Sequence, residues 1–393
     1  MKPNKLILLL SSPIALLTIG HMAVDLYAGF IIPILPFIAK KLDISLPLAG
    51  LIISFTGLTS SFLQPIYGYF SDRISKRFFV VWGLIIASIF ISLTGIANSY
   101  LLLVIVIITA NIGVGLYHPQ ATAYTGKLKQ NSSNVNMGIF VAGGIVGYAL
   151  GPMLSSSIVY FLGLKWTLLA AIPGLFSAFM VYKFLPKITF EKQKSNLKEI
   201  FSNINKVKHA LLVIISIVII RSFILMSMST YFPFEWEDNL GYSVLTVGIV
   251  MTIFSFAGGI SSISGGIIAN KIGARNALLI SFLVPLPILL SALYFMKTSG
   301  ILSFALYIIG GAVLESTISI NILLAQKILP QHIGIASGIT GGFCWGIAGF
   351  LMFPLGILID MHNMYIILNC ILFLPLLATM LVLLVPKEVF KTT

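Results

Sequence analysis

The stretch GYFSDRISKR, at residues 68–77, recurs 198 residues further along as GIIANKIGAR, at residues 266–275. A glycine, an Asp or Asn, a Ser or Gly and a closing Arg stand at identical spacing in the two copies. The separation is close to half of the 393-residue chain, so the sequence predicts two related halves. Because apolar runs flank both copies, each copy is predicted to be a short loop between two helices.

The composition places most of this chain in lipid. It is 58% hydrophobic and 9% charged, whereas a soluble domain carries roughly 25% charged residues. A membrane span needs about 20 apolar residues, and the apolar runs are 12–38, 47–70, 78–97, 100–124, 135–162, 165–185, 208–232, 242–268, 276–296, 300–326, 334–359 and 363–385. We expect an all-α membrane protein with twelve transmembrane helices in two six-helix pseudo-repeats, 1–185 and 208–393, joined by a basic cytoplasmic linker at 186–207.

The placement of Lys and Arg predicts the orientation in the membrane. With twelve spans both termini share one side, and the loops of that side hold 19 of the 24 Lys and Arg residues. The other side holds four, and Arg221 lies within a span. Since cytoplasmic loops carry the excess of positive charge, both termini are expected in the cytoplasm of a bacterial-type inner membrane. The net charge of +13 is therefore a topology signal, and nucleic-acid binding is not expected.

The N-terminus and the cysteines indicate neither a cleaved signal nor a metal site. Lys2 and Lys5 precede an apolar run that continues to Phe37 without a small-residue cleavage site, which predicts a retained first helix. Cys344 and Cys370 both fall in apolar runs and show no metal-ligand spacing. We expect no metal and no cofactor.

The linker allows two interpretations. It is rich in lysine, and Leu197, Ile200, Phe201 and Ile204 fall at helical spacing. An amphipathic helix lying on anionic headgroups would use this pattern. A flexible basic linker explains the composition equally well.

The stretch 68–77 resembles the loop signature GxxxDxxGRK of the major facilitators. In that family the loop latches the outward-facing state, so the resemblance implies a cytoplasmic gate. Its residues would be Gly68, Asp72, Arg73, Arg77, Asn270 and Arg275. Ser75 stands in the usual glycine place and Asn270 replaces the acid, so the second latch is expected to be weaker. The alternative is a purely topological stop signal.

A glycine motif in predicted helix 5 resembles the antiporter signature of the same family. Gly138, Gly147, Gly151 and Pro152 fit the spacing G-x8-G-x3-GP, although serines at 155–156 replace two glycines. Glycines let two helices approach closely, and a proline removes one backbone hydrogen bond and permits a bend. The motif is predicted to be a hinge and favours export by exchange.

Five ionisable side chains lie inside predicted spans. Asp25 and His21 are four apart on helix 1 and share a face. His118 lies on helix 4, Arg221 on helix 7 and Glu315 on helix 10. In major facilitators these four helices line the central cavity, so the resemblance implies that all five residues serve proton coupling or substrate binding.

A charge at the bilayer centre costs about 2.5–3.5 kcal/mol on insertion scales, which calls for a function or a partner. Two acids face one Arg, so one carboxylate lacks a partner, and burial favours its protonated form. We hypothesise that Asp25 or Glu315 carries a coupling proton while Arg221 holds the other acid or an anionic group of the substrate. Counted along the helices, His118 lies nearer the cytoplasm than Asp25, and the repeat aligns Tyr117 with Glu315. The alternative is a static ion pair that fixes helix packing.

The chain resembles one branch of the superfamily, the fosmidomycin-resistance-type exporters. The matching pieces are HMAVD (21–25), LQPIYGYFSD (63–72), GLYHPQ (115–120), FVAGGIVGYALGP (140–152) and GGFCWGIAGF (341–350). The resemblance implies a proton-driven exporter of small polar or amphiphilic compounds. Some relatives carry an acid where Gln120 stands here, which puts a titrating role at that position in doubt.

The sequence therefore predicts a proton-coupled efflux antiporter, not an enzyme. We expect a monomer whose partners are a small-molecule substrate, protons and membrane lipids. Export of a native metabolite such as a metallophore, or uptake by symport, fits the same fold. Since no HExxH, P-loop or GxSxG pattern occurs, a membrane enzyme is disfavoured. Saturation at low solute concentration with counter-flow would separate a carrier from a channel.

Overall fold

The computed structural model of the protein describes residues 12–71, 77–128, 133–186, 197–238 and 240–390. These residues are mostly helical, and no strand occurs among them. Twelve helices in this part of the chain are long and apolar enough to cross a membrane, which confirms the predicted number. Numbered helix 1 to helix 12, they are Pro13–Leu42, Leu46–Phe70, Phe78–Ile96, Tyr100–Gly126, Asn136–Leu162, Leu164–Phe184, Lys208–Asp238, Val244–Ile272, Ala274–Phe295, Gly300–Ile328, Ile335–Met361 and Met364–Leu384.

Eight of the twelve contain a break or a change of helical pitch, and the apolar pattern did not predict these positions. The segments are Pro13–Ala28, Ile32–Ile34 and Leu35–Leu42 in helix 1; Leu46–Gly57, Leu58–Phe62 and Gln64–Ser71 in helix 2; Phe78–Ser92 and Leu93–Ile96 in helix 3; Leu164–Ala170 and Ala171–Phe184 in helix 6; Ala274–Leu283 and Pro285–Phe295 in helix 9; Gly300–Glu315 and Thr317–Ile328 in helix 10; Ile333–Gly338, Ile339–Phe343, Cys344–Phe350 and Met352–Met361 in helix 11; and Met364–Leu372 and Leu374–Leu384 in helix 12. A proline is the first or second residue of several later segments, as in Pro285–Phe295 and Leu374–Leu384, because proline lacks the N–H that would continue the hydrogen-bond ladder. The break in helix 10 directly follows Glu315, which places this acid at the end of a helical segment.

Helices 4, 5, 7 and 8 are continuous, as Tyr100–Lys127, Ser133–Leu162, Lys208–Asp238 and Val244–Ile272. In the linker, Leu197–Lys206 forms a helix, and Lys387–Phe390 forms a short one near the C-terminus. The amide of Asn203 lies 3.2 Å from Nε2 of His332, which ties the linker helix to the start of helix 11. Residues 187–196 lie outside the described part of the chain. Binding of this helix to lipid headgroups stays a prediction.

The first compact unit comprises the described residues within Met1–Ile44, Leu58–Gln193 and Tyr242–Thr252. Its centre is helix 1, which packs against helices 4, 5 and 6. The hydroxyl of Tyr27 donates to the carbonyl of Ala170 at 2.8 Å and accepts from the N–H of Gly174 at 2.8 Å. These two hydrogen bonds hold helix 1 against helix 6 at Tyr27, which is two residues after Asp25 in helix 1.

The second compact unit comprises the described residues within Ser45–Gly57, Lys194–Gly241 and Ile253–Thr393. Within it, the hydroxyl of Tyr231 on helix 7 donates to the carbonyl of Met352 at 2.8 Å. The hydroxyl of Ser54 on helix 2 donates to the carbonyl of Gly349 at 2.7 Å. The first unit thus includes Tyr242–Thr252 of helix 8, and the second includes Ser45–Gly57 of helix 2. A division at 185 and 208 stays a prediction.

Candidate functional site

Three predicted residues of the first unit meet in one group, which we call the His–Asp cluster: His21, Asp25 and His118. Nε2 of His21 lies 3.2 Å from Oδ2 of Asp25, as the four-residue spacing on helix 1 predicts. Nε2 of His118 lies 3.0 Å from Oδ1 of the same carboxylate. The side chains of Asp25 and His118 therefore meet, and the depth of His118 relative to the cytoplasmic surface stays a prediction. Their side chains keep 19% and 22% exposure, so protein atoms do not cover the group completely.

Backbone carbonyls fix the orientation of both imidazoles. Nδ1 of His21 lies 2.7 Å from the carbonyl oxygen of Phe140 on helix 5. Nδ1 of His118 lies 2.8 Å from the carbonyl oxygen of Val114 on its own helix. A carbonyl oxygen only accepts hydrogen bonds, so each Nδ1 carries a hydrogen and each Nε2 is turned towards Asp25.

Gly144 is a site residue that the sequence analysis missed. A Cβ built on it would lie 2.6 Å from Oδ2 of Asp25 and 2.5 Å from Cε1 of His21. Only a glycine lets helix 5 lie this close to the cluster. The Gly-Gly pair at 143–144, between the first two glycines of the recognised motif, was the signal that could have pointed to it.

Tyr117 was predicted among the residues for proton coupling and substrate, and its ring lies beside both imidazoles of the cluster, with ring centroids 6.2 Å from His21 and 6.1 Å from His118. Its side chain is fully buried, and its hydroxyl donates to the carbonyl of Leu17 at 2.7 Å. Gly20 leaves room for that hydroxyl, since a Cβ there would lie 2.6 Å from it. Tyr117 therefore positions helix 1 against helix 4.

The second unit holds the remaining two ionisable residues as the Arg–Glu pair, Arg221 and Glu315. Nη1 of Arg221 donates to Oε2 of Glu315 at 3.0 Å. The guanidinium carbon also lies 5.3 Å from the ring centroid of Trp345, a distance typical of a cation–π contact. Arg221 is 2% exposed and Glu315 13%. The pairing is one of the arrangements that the sequence predicted. Among the described residues of the first unit, the ion-pair partners of Asp25 are the two histidines.

The Arg–Glu pair retains hydrogen-bonding capacity. Nε of Arg221 is buried and has no partner within the described residues. Gly258 on helix 8 faces the acid, because a Cβ there would lie 3.0 Å from Cγ of Glu315. An additional anionic or hydrogen-bond-accepting group would satisfy the free guanidinium edge.

One family model matches residues 17–353 of this chain. The chain belongs to the Major Facilitator Superfamily. The fosmidomycin resistance protein of Escherichia coli (strain K12) is 25% identical over 382 residues, which cover 95% of this chain and 93% of that protein. The multidrug resistance protein MdtG of Klebsiella pneumoniae (strain 342) is 23% identical over 304 residues, 73% of each chain. A solved bacterial homologue of the human lysosomal transporter Spinster, in an inward-facing and occupied conformation, has a TM-score of 0.80 at 14% identity and shares the fold over 100% of this chain and 99% of its own.

The family and the twelve spans together make this major facilitator a multi-pass inner-membrane transporter. The structure places its predicted hinge motif in a tight contact of helix 5 with helix 1. A Cβ on Gly147 would overlap the carbonyl of Met22, and one on Gly151 would overlap the carbonyl of Leu26. Gly138 has no atom within 4 Å of its built Cβ, so close packing requires glycine at two of the three motif positions. Pro152 lies inside the continuous helix Ser133–Leu162.

The predicted cytoplasmic gate of this major facilitator is described only in part. Asp72 and Arg73 lie outside the described residues. Arg77 donates from Nη1 to the carbonyl of Leu185 at the end of helix 6, and its guanidinium carbon lies 5.4 Å from the ring centroid of Tyr182. Arg77 thus joins helices 3 and 6 at their ends.

Gly68, Asn270 and Arg275 are the three further predicted gate residues that the structure describes. A Cβ on Gly68 would make an ordinary 3.7 Å contact with Pro119, so that position does not require a glycine. Asn270 is exposed and Arg275 is half-buried in the second copy of the loop. A latch formed by these residues stays a prediction.

Gln120 has a structural role in this chain. It is fully buried, and its Oε1 accepts a hydrogen bond from the N–H of Val80 at 3.0 Å. Val80 lies in the first turn of Phe78–Ser92, where N–H groups lack partners within their own helix. Gln120 therefore stabilises the start of helix 3.

The structure also brings together atoms of the types that metals bind. One ligand atom from each of His21, Asp25 and His118 lies within 4.8 Å of the other two. The linear sequence shows no metal-ligand spacing, because Asp25 and His118 are 93 residues apart. Only the packing of helix 1 on helix 4 makes the combination visible.

Proposed function

We propose that this major facilitator is a proton-coupled efflux antiporter that works by alternating access. The observation that carries the proposal is the His–Asp cluster, in which a carboxylate inside the membrane lies between two imidazoles. Ionisable residues within spans are rare and are typical of proton relays in transporters. No cofactor is needed, since the proton gradient would supply the energy.

Hydrogen-bond accounting supports proton binding at this cluster. The Nδ1 atoms of His21 and His118 already donate to backbone carbonyls. If an Nε2 carried no hydrogen, it and the carboxylate oxygen of Asp25 would both be acceptors, and no hydrogen bond could form between them. Each of the two N···O contacts needs one hydrogen, held either by the imidazole or by the carboxyl group. The cluster is therefore suited to hold and release protons, and we assign the coupling proton to Asp25 with His21 and His118 as its partners.

We assign the Arg–Glu pair to the substrate. Glu315 already neutralises Arg221 at 3.0 Å, so this acid is less suited than Asp25 to exchange a proton in each cycle. The free Nε and the neighbouring ring of Trp345 favour a substrate with an anionic or planar polar group. This assignment narrows the two options that the sequence left open.

The direction of transport is proposed to be outward. The helix 5 glycines at 147 and 151 allow close contact with helix 1, as the antiporter signature would require. Two relatives are named for resistance to fosmidomycin and to multiple drugs. We therefore propose a small polar or amphiphilic drug-like substrate, with fosmidomycin as the first compound to test.

The orientation proposed from charge puts both termini in the cytoplasm, with the linker at 186–207 on the same side. The excess of Lys and Arg in the loops of that side, 19 against four, supports it. We propose that one chain suffices for transport, with protons, substrate and membrane lipids as its only partners.

The test is growth of an efflux-deficient bacterial host on an inhibitor panel that includes fosmidomycin. The host expresses wild type, Asp25→Asn or the matched control Asp360→Asn, which alters an exposed acid near the end of helix 11. All three are compared at equal membrane levels. Resistance from wild type and from the control, but not from Asp25→Asn, is the expected result. Resistance from all three at the same level would remove Asp25 from the coupling role, and resistance to no compound would argue against drug export.

A further inference from the structure

We propose that the His–Asp cluster is also a binding site for a divalent transition-metal ion of the zinc type. The site combines two imidazole nitrogens and one carboxylate oxygen, all within 4.8 Å of one another. Zinc sites with an open position typically use three protein ligands of these kinds. This inference goes beyond transport of protons and drugs, which requires no metal.

The atoms around the cluster prepare both imidazoles for a metal. In metal sites the second ring nitrogen of a ligating His almost always donates to a carbonyl, a carboxylate or water, and this fixes which nitrogen faces the ion. Here Nδ1 of His21 and Nδ1 of His118 both donate to backbone carbonyls, at 2.7 Å and 2.8 Å. The carbonyls belong to helices and cannot turn away. Both Nε2 atoms are thereby directed at Asp25 without any rearrangement of the backbone.

The charge of the cluster matches that of a divalent ion. Two hydrogens are needed to satisfy the two N···O contacts, and together they bring two positive charges to a group of two neutral imidazoles and one carboxylate. One M²⁺ ion brings the same charge. Binding is balanced as M²⁺ entering, both hydrogens leaving as protons, and two Nε2–metal bonds and one carboxylate–metal bond forming. The net charge of the buried site is the same before and after this exchange.

The donor set selects the class of metal. Imidazole nitrogen with a carboxylate oxygen suits Zn²⁺ and its first-row neighbours, whereas Mg²⁺ and Ca²⁺ prefer oxygen ligands alone. The backbone of helix 5 at Gly144 covers one side of the cluster so closely that a Cβ there would lie 2.6 Å from Oδ2 of Asp25. The 19% and 22% exposure of Asp25 and His118 leaves access for the ion and for a water or another oxygen donor as a fourth ligand.

Isothermal titration calorimetry tests the inference. Zn²⁺ is titrated into the purified full-length protein in detergent at fixed neutral pH. Wild type is expected to bind one Zn²⁺ per chain and to give no comparable signal with Mg²⁺. His118→Gln and Asp25→Asn are expected to bind at least about 10–100-fold more weakly, because loss of a ligand exceeds the effect known for second-shell partners. His209→Gln, which alters an exposed histidine on helix 7, is the matched control and should bind as wild type does.

X-ray absorption of the zinc-loaded wild-type protein gives a readout that does not depend on the folding of a variant. Two imidazole nitrogens at about 2.0–2.1 Å and an oxygen shell are expected. The inference is overturned if wild type binds no Zn²⁺, if the spectrum lacks the imidazole pair, or if the His118 and Asp25 variants bind like wild type. Proton-linked transport measured without added metal separates the two proposals. If transport persists while Zn²⁺ binding is absent, only this inference fails.

Discussion

Gly144→Ala is expected to impair transport by crowding the His–Asp cluster without removing any of its groups. The added methyl would lie 2.5 Å from Cε1 of His21, 2.6 Å from Oδ2 of Asp25 and 2.7 Å from Nε2 of His21. Carbon and oxygen atoms cannot approach this closely, so either the two side chains or helix 5 must shift. Overpacking of this kind typically costs about 1–3 kcal/mol. If that energy falls on the transport-competent arrangement of the cluster, activity drops by about 5–150-fold.

The matched control is Gly138→Ala, which makes the same change on the same helix. Its built Cβ has no atom within 4 Å, so no crowding follows. Alanine is favoured over glycine in a helix interior by roughly 0.8–1.0 kcal/mol, and this control should be as stable as wild type or slightly more so. Transport would be measured in proteoliposomes with an imposed pH gradient, using a substrate from the growth panel, and thermal stability by size-exclusion chromatography after heating.

The two variants should therefore separate clearly in transport rate while both remain folded. A Gly144→Ala protein that transports at the wild-type rate would refute the close contact between helix 5 and the cluster. Equal losses in both variants would show that the glycines of helix 5 matter for a reason other than the contact with His21 and Asp25.

Three further substitutions test other contacts of the two units by thermal stability in detergent. Glu315→Gln leaves the buried Arg221 without its carboxylate. Removing one partner of a buried ion pair typically lowers the free energy of unfolding by about 3–5 kcal/mol. An unchanged thermal midpoint would mean that water reaches the guanidinium. Gln120→Ala removes the acceptor for the N–H of Val80 and is expected to cost about 1–3 kcal/mol, the penalty for an unsatisfied buried donor; no loss would argue against the role of Gln120 at the start of helix 3. Tyr27→Phe keeps the ring but abolishes both hydrogen bonds to helix 6, so a similar loss is expected, and wild-type stability would contradict the bridging role of the hydroxyl.

The sequence predicts the number of spans because length and hydropathy determine which segments can cross lipid. The twelve apolar runs correspond to twelve helices. The interruptions were not predictable from hydropathy, since the break after Glu315 and the one between Ala28 and Ile32 both lie inside runs long and apolar enough to count as single spans. Prolines at the start of several later segments mark some of these breaks, because they interrupt the backbone hydrogen-bond ladder.

The candidate site was predictable to the extent that its residues share one helix. The four-residue spacing of His21 and Asp25 is a property of helical geometry, and the structure has them in contact at 3.2 Å. The contact of His118 with Asp25 depends on how helix 4 packs on helix 1, and counting residues along each helix did not predict it. The carbonyl of Phe140 and the backbone at Gly144 belong to helix 5. Side-chain patterns in the sequence do not predict where such backbone atoms contact another helix.

Proton flux coupled to substrate movement in Asp25→Asn proteoliposomes tests the central claim most directly. The wild-type protein should move protons against a substrate gradient, recorded with a pH-sensitive dye, and should also exchange labelled for unlabelled substrate. We predict that Asp25→Asn loses the proton flux and keeps the substrate exchange, because Arg221 and Glu315 remain intact. Proton flux from Asp25→Asn at the wild-type ratio to substrate would contradict the account and place the coupling group elsewhere.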